Sequence, residues 1–177
     1  MVPAEADAAT DSLRGRLCLG DRSTNAPPWT SDIVSIEELP PLDAAGFAAL
    51  AENAVPLVAI LGLRIDRFDA EAVVVRLPWH DVALRPGGSV SGPAMMTLSD
   101  IALWGSVLAR IGHEPLCVTT DLTFHFLAKP RHADVLASAR IIRIGRTLAI
   151  AEATLRSQGQ AEPVAHVVGT YAIPRRT

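Results

Sequence analysis

An α+β layer fold is predicted for this chain: one long buried helix with an antiparallel sheet curled round it. Three observations predict it. From Pro93 to Arg110 nearly every residue is apolar or small, and a helix that is apolar all round is a buried one. After that stretch every segment is strand-like, and the short turns between strands point to antiparallel pairing. A lone helix of this kind must bury its faces against a sheet that wraps it.

The elements follow in order. Residues 1–40 are rich in Asp, Ser, Thr, Asn, Gly and Pro, with Pro27-Pro28 and Pro40-Pro41 as breakers. They read as an extended N-terminal arm without a core of its own, and residues 41–177 as the folded domain. Leu42 to Ala59 is predicted helical. Asp43 opens it, Phe47, Leu50, Ala51, Ala54, Leu57 and Val58 keep the three-four spacing, Pro56 disturbs or kinks its last turn, and Gly62 ends it. Leu63–Phe68 and Glu71–Trp79 are strands around the turn Asp69-Ala70, and residues 80–90 a loop with Pro86, Gly87 and Gly88. Pro93 suits a first helical position and Gly112 is the stop signal of the long helix. Strands are expected at Leu116–Leu127, Ala133–Ile144, Thr147–Arg156 and Pro163–Ile173, as a meander with turns at Lys129-Pro130, Gly145-Arg146 and Ser157–Gln160.

Composition narrows the function. The chain has 177 residues, 49% of them hydrophobic, which suffices for one domain with a sizeable core. Only 5% are aromatic, so small aliphatic side chains must fill that core. The net charge of −3, with both signs interspersed, argues against a nucleic-acid platform, which shows a basic stripe. Cys18 and Cys117 lack metal-ligand spacing and are too few for a disulfide framework. No run of 18 apolar residues appears, so no membrane span is expected. The acidic start lacks the basic and apolar regions of a signal peptide, and the cysteine usage fits a reduced, cytoplasmic protein.

Two residues invite chemistry. Asp100 sits in the middle of the apolar helix, and an ionised carboxylate buried without partners is costly. It is either a structural group bonded to a loop or a working one. Gly92 stands at the helix start, where backbone N–H groups are left unbonded and can meet negative charge, although a glycine there is commonly no more than a flexible start. The histidines His80, His113, His125, His132 and His166 have no metal-ligand spacing. No metal site is therefore expected.

Four blocks then carry a resemblance. They are Pro86-Gly87-Gly88-Ser89-Val90-Ser91-Gly92-Pro93 with Asp100; Val118-Thr119-Thr120-Asp121-Leu122-Thr123-Phe124-His125-Phe126-Leu127-Ala128-Lys129-Pro130; Arg143-Ile144-Gly145-Arg146-Thr147-Leu148-Ala149; and the closing residues 165–172. In order and spacing the chain resembles the hotdog-fold thioesterases of the phenylacetate-degradation type over residues 60–173. The resemblance implies a helix wrapped by a curved antiparallel sheet and edge-to-edge homodimers that pair into homotetramers. It also implies active sites at the dimer interface that hydrolyse acyl- or aryl-CoA thioesters without metal or cofactor. Its alternative is a catalytically weak hotdog protein that binds an acyl-CoA-like ligand.

The same resemblance assigns roles. Asp100 matches the catalytic carboxylate, a general base toward water or a nucleophile. Gly92 matches the residue whose N–H meets the thioester oxygen, and Thr119 one that positions water. On a regularly alternating strand Thr119 shares a face with Cys117, Asp121, Thr123 and His125. Relatives carry His-Gly-Gly or Gln-Gly-Gly where this chain has Ser91-Gly92-Pro93. Ser91 either bonds near the carbonyl or caps the helix. Arg85 stands where many relatives have Asn. Arg85, Gly88 and Val90 are candidate substrate contacts, and Trp104 is either a wall of the acyl pocket or a core side chain. Lys129, Arg131, Arg143, Arg146 and Thr147 are candidate partners for the coenzyme's phosphates, or the ordinary cations of solvated turns.

Overall fold

Asp43 opens the first helix: its carboxylate accepts from Gly46 N at 2.7 Å, satisfying a donor that the helix start leaves free. The computed structural model describes residues 42–174, so the arm expected at residues 1–40 lies outside the described residues. α1 spans Ala44–Ala54 and α2 spans Pro56–Leu61. The predicted single helix is thus broken at Val55, because Pro56 disfavours helical backbone in the residue before it. Gly62 then ends α2 at φ 59°, a left-handed conformation open to glycine at little cost.

Strands β1 (Arg64–Phe68) and β2 (Val73–Leu77) form a hairpin. A 3₁₀ turn over Asp81–Ala83 follows, then a two-residue ladder between β3 (Leu84–Arg85) and β4 (Ser89–Val90) within the expected loop. α3 runs from Gly92 to Ile111, between the caps Ser91 and Gly112. The remaining strands are β5 (Val118–Phe126), β6 (Val135–Ile144), β7 (Leu148–Ser157) and β8 (Ala165–Ala172).

The sheet order is β1-β2-β6-β7-β8-β5, with every neighbouring pair antiparallel. The predicted meander holds only for β6-β7-β8. β5 leaves the helix, pairs with β8 and becomes an edge, so the link to β6 returns across the sheet. This order lets all six strands reach α3, which a meander starting at β5 beside β6 does not require.

The inner face is built for close approach. Ala137, Ala139, Ala149, Ala151, Ala153 and Ala165 are fully buried beneath α3. Small side chains bring the helix down onto the sheet, which is how a core with few aromatics is filled. α3 is long and apolar enough to span a membrane, yet 67% of its apolar window is buried, as in a core helix.

On the outer side Asp134 ties the end of β2 to the start of β6. It accepts from Trp79 N at 2.9 Å and from Arg76 Nη1 at 3.1 Å. The Trp79 N–H, with Arg76 and Arg64, holds its carboxyl below the usual range, against the opposing effect of burial. A depressed folded-state pKa stabilises the fold above the unfolded value, about 4, and that share is lost as pH falls through the lower one. Asp134→Asn is expected to be less stable at neutral pH and to lose less on acidification. Denaturant midpoints measured from pH 7 to pH 2 check this; parallel curves for the two proteins would refute it.

Candidate active site

The site begins with how α3 starts. Ser91 Oγ accepts from Ala94 N at 3.4 Å, so of its two readings the capping one is seen. Pro93 contributes no N–H. The Gly92 N–H has no hydrogen-bond partner among the described residues and remains a free donor at the positive end of a 20-residue helix. A side chain at Gly92 would meet the end of the Phe126 ring, 3.2 Å from the Cβ position.

Asp100 lies two turns further along. Its carboxylate is partly buried, and two hydroxyls reach the same oxygen. Thr119 Oγ1 donates to Oδ1 at 2.9 Å and Tyr171 Oη at 2.7 Å. No hydrogen bond from the described residues reaches Oδ2. The carboxylate opens onto a cleft of about 250 Å³ lined by Met96, Thr97, Asp100, Thr119 and Leu122. Two apolar and three polar side chains there suit a carbonyl flanked by an apolar group.

Thr119 reaches the carboxylate through a defect in β5. The register with β8 shifts between Thr119 and Asp121. A bulge inserts one residue and moves all later side chains to the other face. Thr119 therefore shares the inner face with Leu122, Phe124 and Phe126, opposite Tyr171, Gly169, Val167 and Ala165. Asp121, Thr123 and His125 are exposed on the outer face. The face drawn for Thr119 from strict alternation is corrected accordingly.

Tyr171 is the partner that the sequence reading missed. It is 1% exposed and pairs across the ladder with Thr119 on one side and Ala149 on the other. Burial, then the charge of Asp100 and the hydrogen bond to it, push the phenol well above its usual range. The hydroxyl therefore stays protonated and remains a donor. A lone tyrosine on an otherwise apolar strand face was the available signal, since a buried Tyr hydroxyl usually has a partner.

Other expected contacts are spread more widely. Trp104 lies in the core, edge-on to Phe47 at 5.6 Å, outside the lining of the cleft, and Val90 is likewise buried. Arg85 is exposed and its Nε donates to Ser89 Oγ at 3.0 Å. Gly88, at φ 70°, closes the Arg85–Gly88 turn against the His132 ring. Arg131 Nη1 donates to Gly159 O at 2.9 Å. Lys129, Arg143 and Arg146 are exposed and carry no ion pair among the described residues, and Thr147 is exposed beside them.

The cations fall at opposite ends of the sheet. Arg143, Arg146 and Thr147 flank the β6–β7 turn, next to the row Ala149–Tyr171–Thr119 and so next to Asp100. Lys129 and Arg131 follow Phe126, whose ring lies beside Gly92. From Thr119 to Phe126 the strand runs roughly 23 Å. From Gly92 to Asp100 the helix rises roughly 12 Å. Within one copy, the Gly92 N–H and the Asp100 carboxylate therefore stand too far apart to meet one small group. Among the described residues no three His, Cys, Asp or Glu side chains converge to hold a metal ion.

Comparison with known proteins agrees with this fold. The sequence profile of the thioesterase superfamily matches residues 87–164. A candidate esterase of Halobacterium salinarum is 30% identical over 140 residues, 72% of this chain and 91% of the relative. The crystal structure of a candidate thioesterase from a Silicibacter species is 39% identical, with a TM-score of 0.69 over 75% of this chain and 92% of that one. The phenylacetic acid degradation protein PaaI of Thermus thermophilus shares the fold, with a TM-score of 0.60 at 21% identity over 67% of this chain and 99% of that one.

Proposed function

The chain belongs to the thioesterase superfamily and has its hotdog fold, and from that premise we propose that it hydrolyses acyl- or aryl-CoA thioesters at a site shared by two copies. The observation that carries the shared site is the separation of Gly92 from Asp100 along α3. The two edges of the sheet support it. β1 is blunted by Arg64, Asp66 and Arg67, as edge strands that avoid pairing are. β5 is nine residues long and exposes Val118 and Phe126, with Leu116 and Leu127 at its ends. Two β5 edges paired antiparallel about a two-fold axis bring the Phe126 end of one beside the Thr119 end of the other. Gly92 and Lys129 of one copy then meet Asp100, Thr119 and Arg146 of its partner.

In that arrangement a water adds to the thioester carbonyl carbon while its proton passes to Asp100 Oδ2. The carbonyl oxygen becomes an oxyanion facing the Gly92 N–H of the other copy. Losing one such donor typically costs about 3–4 kcal/mol of transition-state stabilisation. When the carbonyl re-forms, the C–S bond breaks and the departing thiolate takes up the proton, leaving the free acid and CoA thiol. Arg143, Arg146 and Lys129 are free cations for the coenzyme's phosphates. The reaction asks for no further cofactor.

Mixing variants tests the shared site. Asp100→Asn and Gly92→Val homo-oligomers are each expected to be inactive on benzoyl-CoA and hexanoyl-CoA, the first for want of a base and the second because the added side chain, crowded against Phe126, obstructs approach to the N–H. A mixed dimer places both defects in one site and leaves the other intact, so co-assembly should restore up to half of the activity. Mixed dimers that stay inactive would refute a site shared between copies. A second reading rests on Ser91 and Pro93, which leave the turn with one free donor: a protein that binds CoA esters with slow turnover. Calorimetric binding without release of free thiol would favour it.

A further inference from the structure

We infer that Tyr171 is a positioning residue that, with Thr119, fixes Asp100 so that only Oδ2 meets the substrate. This rests on the thioester-hydrolysis reading of the same cleft. A free aspartate side chain turns about two bonds and offers either oxygen. Here both hydroxyls donate to Oδ1, at 2.7 and 2.9 Å. Tyr171 Oη also lies 3.1 Å from the Asp100 carbonyl oxygen, which draws the phenol against the helix backbone as well as the side chain. Oδ1 is thereby committed to the protein and Oδ2 is left toward the cleft.

The sheet is shaped to bring the two donors together. Thr119 and Tyr171 are direct partners across β5 and β8, and they are the last such pair before the bulge displaces the register. Without the bulge, Thr119 would not share a face with the apolar residues that seat β5 against the core. The Tyr171 ring is held in turn. Gly169 leaves the space beneath it: a Cβ there would come within 3.1 Å of Leu103, 3.2 Å of Leu122 and 3.4 Å of the Tyr171 ring. The phenol therefore has a buried, packed position from which to aim its hydroxyl.

The test separates this inference from the reading on which it rests. Wild type, Asp100→Asn, Tyr171→Phe, Thr119→Val and the Tyr171→Phe/Thr119→Val double variant are assayed on benzoyl-CoA and hexanoyl-CoA by thiol release. Tyr171→Phe keeps the ring and removes only the hydroxyl. It is expected to lower kcat 10- to 100-fold with KM and melting temperature unchanged. The double variant should lose less than the product of the two single losses, because both hydroxyls act on one oxygen. If Asp100→Asn is inactive while Tyr171→Phe keeps the wild-type kcat, or changes KM alone, the positioning role is overturned and the hydrolysis reading stands. If wild type releases no thiol, or Asp100→Asn works as well as wild type, the hydrolysis reading falls and the positioning role with it.

Discussion

Asp100→Asn is expected to lower kcat for CoA-thioester hydrolysis by roughly 10²–10⁴-fold, the usual contribution of a positioned general base. The substitution is conservative in shape. Its amide oxygen can still accept from Thr119 and Tyr171, so the two buried hydroxyls keep their partner. The amide nitrogen takes the place of Oδ2, the oxygen that no described residue bonds, and it cannot accept a proton from water. The loss should therefore fall on the chemical step, with the melting temperature and oligomeric mass of wild type. Thiol release measured beside thermal melting and light scattering checks all three. Undiminished turnover would remove Asp100 from the mechanism.

Gly105→Val is expected to be the most damaging of these changes for the fold. A Cβ at Gly105 would stand 2.8 Å from two atoms of the Phe47 ring and 3.1 Å from Val73. The ring cannot retreat easily: Phe47 is fully buried, stacked on Phe68 at 5.0 Å and edge-on to Trp104. Glycine in a helix interior costs about 1 kcal/mol relative to alanine, so Gly105→Ala sets that gain against the clash. Valine gains less from propensity and adds two methyl groups, and overpacking of this kind costs about 1–3 kcal/mol. At roughly 2–4 °C per kcal/mol, the melting temperature should fall by several degrees, more for valine than for alanine. Replacing Phe47 by Leu in the same chain should recover part of the loss. A Gly105→Val protein that melts with wild type would mean that α1 does not rest on α3 through this contact.

Much of the fold was legible because its signals are local. Asp43, Pro56, Gly62 and Gly112 act on the backbone within a turn of themselves, and each marks a boundary or break of a helix. The strands of the β6-β7-β8 meander lie between short turns that residue type alone predicts. The place of β5 was not legible in this way, because pairing with β8 depends on how the sheet wraps α3. Neither was the bulge after Thr119: no glycine or proline marks it, and it reverses the face of the residues that follow. Trp104 has the same limit. Its large apolar side chain suits a pocket wall or the core equally by residue type, and only packing decides that Phe47 meets it and the cleft does not.

The sequence by itself determined that a long buried helix carries a single carboxylate, eight residues after a glycine at the helix start. It did so because burial and helix starts follow from residue type and spacing along one element. Only the tertiary structure decided what that carboxylate touches. Its donors stand 19 and 71 residues away, and they meet it through the register of two strands and one inserted residue. The two helical turns between Gly92 and Asp100 belong to that one element, whereas pairing and packing alone decide what comes to lie beside either. Distances between elements arise from pairing and packing across the chain, and no window of sequence contains them.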